Sequence, residues 1–291
     1  MDDCDDLIKG LESDIRSVKT KKSQKKDMKE KPTDEGSNKK MHKQCSIPRK
    51  RRKQKKKCNI RKIKDEDLNI VSINARGVAK KKKSIEEILN NESVDIAIIS
   101  ELSVKTLLKL KGYREFIEIR GHMHGICILV RNDIAKHALR IHNESELEVV
   151  HVRLSNTVPA LNIIGTYLNV ESRVKADDTK KTWNNYTEIV QQVLDKGEAC
   201  VCMGDFNRPL QAKKPTLGTK LLDEWIEGGT MKLINDRKVN TRLDPGRGTG
   251  SVLDLAIISA NIEKSVTHFI VDSERKMTAF AMLKRKNKTI D

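Results

Sequence analysis

The sequence predicts an α/β body of two packed β-sheets with helices on their outer faces, preceded by a disordered basic arm. Three observations predict it. About ten short apolar runs rich in β-branched residues are separated by turn residues, too many for a simple doubly wound sheet. A few amphipathic segments of helical period interrupt them. The charge is also uneven: residues 1–64 carry 23 Lys/Arg against 10 Asp/Glu, whereas residues 65–291 carry 35 against 31. The domain boundary is therefore expected between 64 and 65.

The arm comes first. From Lys19 to Lys64 it is Lys-rich with few aliphatic residues, and it cannot bury enough apolar surface to offset the entropy of ordering. Its densest run, Arg49, Lys50, Arg51, Arg52, Lys53, Gln54, Lys55, Lys56 and Lys57, places eight cations in nine residues. Such a run binds polyphosphate through counterion release, DNA or equally RNA, and it also reads as a nuclear-import patch. The bland alternative is a solvated, solubilising tail. The acidic start is unlike a secretory signal, and no apolar run is long enough to span a bilayer. Secretion and membrane insertion are not expected.

In the body, Leu68–Ile73 and Val94–Ser100 read as buried strands. Ser84–Asn90 lies between them with helical spacing, and Ser84 with Glu87 suggests a capping box. Gly125–Arg131, Leu147–Leu154 and Ala160–Leu168 follow as strands. Thr182–Leu194 is the clearest helix, its stripe of Trp183, Tyr186, Ile189, Val190 and Val193 ending before Gly197. Ala199–Met203 is a strand, Leu221–Ile226 a helix, Arg242–Gly250 a loop, and Ser251–Ile258 and Thr278–Leu283 the last strands. Cys127, Cys200 and Cys202 sit in apolar runs. Without CxxC spacing they read as buried thiols, with neither disulfide nor structural zinc.

Polar residues gather where these runs end. Asn74 follows the first strand, Glu101 the second, and Asp205 and Asn207 the strand at Ala199. Asp254 sits in an otherwise apolar run, where a carboxylate is costly without a partner. Taken singly, each could cap a helix or a turn. As a set they are hard oxygen donors suited to Mg²⁺ with phosphate as co-ligand.

Six blocks carry a resemblance: Asn74-Ala75-Arg76-Gly77, Ile99-Ser100-Glu101, Gly125–Asp133, Ile164-Gly165-Thr166-Tyr167, Gly204-Asp205-Phe206-Asn207, and Ser251-Val252-Leu253-Asp254-Leu255. Their order and spacing across residues 66–283 resemble the endonuclease/exonuclease/phosphatase superfamily. The match is closest to the apurinic-type endonuclease domain of non-LTR retrotransposons. The resemblance implies a four-layer α/β sandwich and hydrolysis of phosphodiesters with Mg²⁺, or Mn²⁺ in its place. It implies a metal site of Asn74, Glu101 and Glu274, a Tyr167 that approaches the phosphate, and an Asp205 that activates water. Asn207 would hold the phosphate and Asp205, and Asp254 would orient the last catalytic group.

The final block departs from the pattern. Ser273-Glu274-Arg275 stands where the family has Ser-Asp-His, and no histidine follows His268. Arg275 keeps a positive charge but cannot exchange a proton near neutral pH. His122 and His124 read as a hairpin tip. The chain ends directly after the last strand, as expected of a domain separated from, or truncated before, a polymerase. The expected function is metal-dependent nicking of double-stranded DNA in the nucleus. The alternative is an inactive nucleic-acid-binding relic, and a phosphatase of small phosphoesters or lipids comes third.

Overall fold

The structure, a computed structural model, describes residues 67–104, 107–119, 125–143, 146–212, 214–243, 250–272 and 277–284. The chain divides into two units, Met1–Cys58 and Asn59–Asp291, and every described residue lies in the second. The arm, the His122–His124 tip, Glu274 and Arg275 fall outside the described residues.

The first sheet begins with β1 (Asp67–Asn74). Helix α1 (Lys82–Asn91) carries the chain back to β2 (Ile96–Ser100), which pairs parallel to β1. Then β3 (Tyr113–Glu118) and β4 (Ile126–Arg131) extend the sheet antiparallel. A short turn of helix, α2 (Asn132–Ala135), leads to β5 (Ala138–Ile141) and β6 (Glu148–Leu154), which open the second sheet.

Its centre repeats the first motif: β7 (Leu161–Tyr167), helix α3 (Ala176–Leu194), and a parallel β8 (Ala199–Asp205). Helix α4 (Leu217–Glu227) follows, then β9 (Met231–Leu233), a small ribbon of β10 (Arg242–Leu243) and β11 (Gly250–Ser251), and β12 (Asp254–Ser259). Finally, β13 (Val266–Asp272) and β14 (Met277–Lys284) return to the first sheet beside β1. The orders are β13-β14-β1-β2-β4-β3 and β5-β6-β7-β8-β12-β9.

Strand alternation builds three apolar layers. Leu68, Ile70, Ile96, Ile98 and Ile128 of one sheet meet Val150, Val152, Ile163, Val201 and Ala256 of the other. On the outer face of the first sheet, Val71, Ile73, Ala97 and Ile99 pack under Ile85 and Leu89 of α1. On the outer face of the second, Ile164, Cys200 and Cys202 pack under Trp183, Tyr186, Ile189 and Val190 of α3. The result is helix, sheet, sheet, helix, the four-layer sandwich the sequence predicts. Trp183 and Tyr186 are core residues, and Cys127, Cys200 and Cys202 are buried free thiols.

Several local expectations are corrected. The Ser84–Glu87 capping box does not form, because the helix starts two residues earlier and its N-cap is Lys81, with no side-chain cap bond. Helix α3 begins at Ala176 rather than Thr182. Its first turns are polar, so no apolar stripe marks them, and Asp177 and Asp178 complement the helix dipole there. Ser251–Ile258 is two strands, since Val252 and Leu253 lie in neither. Five strands, β3, β5, β9, β10 and β13, were not anticipated. β3, β5, β9 and β13 lie at sheet edges, where exposure blurs the apolar signal. The two-residue β10, with Gly250 of β11, falls in the segment Arg242–Gly250 expected to be a loop.

Candidate active site

On the strands that face each other, inner-face positions are apolar, Ser72 apart, until the last one before the rim. On β1, Leu68 and Ile70 point inward, and two steps of two further on lies Asn74. On β7, Leu161 and Ile163 lead to Tyr167. On β8, Ala199, Val201 and Met203 lead to Asp205. On β12, Ile258 and Ala256 lead back to Asp254. Register places Asp205 opposite both Tyr167 and Asp254. The pleat thus delivers four polar side chains to one end of the inter-sheet space, at the carboxyl ends of the parallel strands where α/β folds place their ligands.

One amide joins the sheets there. Asn74 Nδ2 donates to Glu101 Oε1 at 3.0 Å and to Asp205 Oδ2 at 3.0 Å. Glu101 follows β2 at the same rim and is half-buried, with a left-handed backbone (φ 53°). Its carbonyl accepts from Gly77 N at 2.8 Å, which holds the Asn74–Gly77 segment against it. Asp205 is fully buried, and its Oδ1 accepts from the Asn207 backbone N–H at 3.0 Å. Asn207 is also left-handed (φ 50°), and its Nδ2 donates to Leu168 O at 2.7 Å. Two non-glycine residues in this region of φ/ψ space at one site are strain held in place by its surroundings. Gly204, at φ 141°, could bear no side chain: a Cβ would stand 2.0 Å from Thr166 O.

The electrostatics follow from burial and like charge, which outweigh the nearby cationic charge. Burial, then the nearby Glu101 charge, push the Asp205 carboxyl up to about 7, although the Asn207 N–H and Arg242 pull it down. Asp254 is pushed well up by burial and then by Asp205, against an amide bond from Asn74. Burial and the charges of Asp205 and Glu101 also raise Tyr167, so its hydroxyl stays protonated.

Asp254 is fixed from its own backbone. Thr241 Oγ1 accepts from Leu253 N at 3.0 Å and Asp254 N at 3.1 Å. Asn235 donates to Asp254 O at 3.1 Å and accepts from Ala256 N at 2.7 Å. Thr241, Asn235 and the fully buried Arg208 were missed from sequence. Each sits in a polar loop with no period to betray burial. Arg242, which the sequence places only at the start of a loop, sends its charge to both Asp205 and Asp254.

The structure therefore brings together Asn74, Glu101, Tyr167, Asp205, Asn207 and Asp254. Among the described residues, no group of three His, Cys, Asp or Glu side chains is arranged to hold a metal ion. The donor set nevertheless fits a hard divalent cation. Asn74 Oδ1 and Asp254 Oδ1 are buried oxygens with no hydrogen-bond partner, and two amides and three carboxylates supply oxygen.

Comparison with known proteins agrees with this geometry. The AP endonuclease LMAP of Leishmania major superposes with a TM-score of 0.63 at 12% identity, covering 78% of this chain and 92% of that one. The 3′ phosphatase NExo from Neisseria, bound to a product DNA hairpin, gives 0.58 at 15% identity, covering 75% and 99%. The endonuclease domain of TRAS1, a telomere-specific non-LTR retrotransposon, gives 0.56 at 17% identity, covering 76% and 100%.

In sequence, a probable RNA-directed DNA polymerase from transposon BS of Drosophila melanogaster is 22% identical over 147 residues. That is 48% of this chain but 15% of the polymerase's length. The Endonuclease/Exonuclease/phosphatase family model matches residues 59–274, which contain all six of the clustered side chains. With most of its length matched in this way, the chain belongs to the endonuclease/exonuclease/phosphatase family.

Proposed function

We propose that residues 65–291 are a divalent-metal-dependent endonuclease that nicks double-stranded DNA, of the kind carried by non-LTR retrotransposons. The observation that carries this reading is the Asn74 bridge between Glu101 and the buried Asp205, with Asp254 behind it. Glu101, with Asn74 beside it and Glu274 as a further carboxylate, would hold Mg²⁺ or Mn²⁺. When bound, the ion polarises a phosphoryl oxygen and offsets charge in the transition state.

The chain's own groups do the rest. Asp205 is a base poised near neutral pH, and the Asn207 N–H fixes the direction of its carboxylate. It takes the proton of the attacking water as the new P–O bond forms and the bond to the leaving sugar oxygen breaks. Tyr167, kept protonated, donates to a phosphate oxygen. Asp254 stands where the family's carboxylate orients an imidazole, and Arg275, which lies outside the described residues, would supply a cation in place of that imidazole. Arg275 cannot protonate the leaving oxygen, so solvent must, and turnover is slow.

The same Arg275 favours a second reading, a nucleic-acid-binding relic without catalysis. In both readings the Arg49–Lys57 run tethers DNA, or RNA, and directs the chain to the nucleus. Fusing residues 1–64 to a fluorescent protein tests that address.

Supercoiled-plasmid nicking decides between the readings, with wild type, Asp205→Ala and Arg275→His compared in Mg²⁺, Mn²⁺ and EDTA. Metal-dependent nicking by wild type but not Asp205→Ala supports the enzyme. Nicking by Arg275→His alone identifies an inactive enzyme with an otherwise sound site. Silence from all three with DNA binding retained supports the relic.

A further inference from the structure

We propose that Arg208 is a positioning residue, whose buried guanidinium clamps the loop after β7 to the loop after β8 and thereby holds Asn207 and Asp205 in working alignment. The inference rests on reading residues 65–291 as a nuclease.

Arg208 directly follows Asn207 and is 1% exposed. A buried guanidinium is costly unless it is fully used, and this one is not: its Nε has no partner. Its Nη1 donates to Asn169 O at 3.0 Å and to Asn207 O at 3.2 Å. One nitrogen therefore ties the segment that follows Tyr167 to the residue that fixes Asp205. Asn207 is in turn held on three sides: its carbonyl by Arg208, its N–H by Asp205, and its side-chain amide by Leu168 O. That is the overdetermination a left-handed asparagine requires.

The start of α4 is shaped around the same group. Gly218 has no side chain where a Cβ would lie 2.1 Å from Arg208 Nε and 2.5 Å from its Cδ. Its N–H donates to Glu171 Oε1 at 3.0 Å, so the loop after β7 is bound to the helix as well. Glu171 also supplies the larger of the two opposing charges that act on Arg208, the other being Asp205. A purely structural core would place an apolar side chain at 208 and an alanine at 218. This chain accepts an incompletely bonded cation and a helical glycine instead, and what they secure is the geometry of Asn207.

The test uses the full chain and two perturbations of opposite ordinary consequence. Arg208→Met removes the clamp, and Arg208→Lys restores the charge with a single nitrogen. Gly218→Ala would stabilise an ordinary helix, but here it displaces the guanidinium. Arg208→Met and Gly218→Ala are each expected to lower kcat for plasmid nicking about 10- to 100-fold with KM within about two-fold, the scale of an ångström's misplacement. Arg208→Lys is expected to recover part of the loss. The double variant is expected to be no worse than Arg208→Met, because both act on one group.

Amide hydrogen exchange supplies a readout independent of activity. The Asn207 N–H is expected to exchange at least about ten-fold faster in both single variants, with Val201 to Met203 of β8 unchanged. Gly218→Ala that is as active as wild type, losses that multiply in the double variant, or unchanged Asn207 exchange would each overturn the proposal. If the wild type does not nick DNA at all, the nuclease reading fails, while the exchange data still decide whether Arg208 positions Asn207.

Discussion

The two ends of the sandwich treat carboxylates in opposite ways. At the amino ends of the parallel strands, Asp95 and Glu198 each meet an arginine. Asp95, before β2, is 2.8 Å from Arg131 and accepts from Asn69 N at 2.8 Å. Glu198, before β8, is 2.6 Å from Arg153 and accepts from Asn162 at 2.9 Å, and Asn162 in turn bonds His151. At the carboxyl ends, Glu101, Asp205 and Asp254 crowd around one neutral amide. Acids of the same type in the same fold are thus neutralised at one end and left in excess at the other. The Arg153 bonds hold Glu198 below its ordinary range, while burial and like charge raise Asp205.

The contrast is open to attack in order of expected effect. Asp205→Ala and Glu101→Ala are expected to reduce metal-dependent nicking by at least about a thousand-fold, measured on supercoiled plasmid, with circular dichroism unchanged. Gly204→Ala should cost about 3 kcal/mol or more in urea unfolding, because its Cβ meets the Thr166 carbonyl at a strained φ.

At the other end, Asp95→Ala should destabilise by about 1–3 kcal/mol by orphaning the Asn69 N–H, while Arg131 keeps its bonds to Asp133, yet leave nicking within about two-fold. A large loss of activity from Asp95→Ala would break the division between the ends.

Proton linkage gives a subtler distinction. The folded-state value of Asp205, about 7, lies above that of an unfolded aspartate. Its contribution to stability is therefore complete below about pH 4 and is lost as pH rises through 7. In EDTA, the melting temperature of wild type should fall between pH 5 and 8 more steeply than that of Asp205→Asn, and the variant should be the more stable at pH 8. Equal slopes would show that Asp205 is not raised. Deleting residues 1–64 is expected to leave kcat unchanged while lowering the slope of log K against log salt by up to about 7, for eight phosphate contacts.

Much of this was legible beforehand, for a physical reason. Asn74, Glu101, Asp205, Asn207 and Asp254 stand out because each is a polar residue at the end of, or inside, an apolar strand run, where no core-building argument requires polarity. Tyr167 is reached only through the resemblance, in the block Ile164-Gly165-Thr166-Tyr167. Arg208 could not be found in that way. In Asn207-Arg208-Pro209 it reads as a loop cation, and only the approach of the α4 glycine buries it. The paired acids Asp95 and Glu198 were overlooked because each stands alone before its strand, its arginine 36 or 45 residues away along the chain. The edge strands were lost because a half-wet strand lacks the contrast on which the period depends.

The Asn74 amide has a further implication. Because its two hydrogen bonds end on carboxylates carried by different sheets, the active centre is a gauge of how the sheets are stacked. The spacing that it reads is set deeper, at Gly165, where an added methyl would press to within 3.1–3.3 Å of Ile128, Ile98 and Ile126. A lever of that kind transmits interior volume to the rim. One methyl at position 165, whose nearest contacts are all isoleucine side chains, should wedge the sheets apart and loosen the Asn74 bridge without touching any of its three residues.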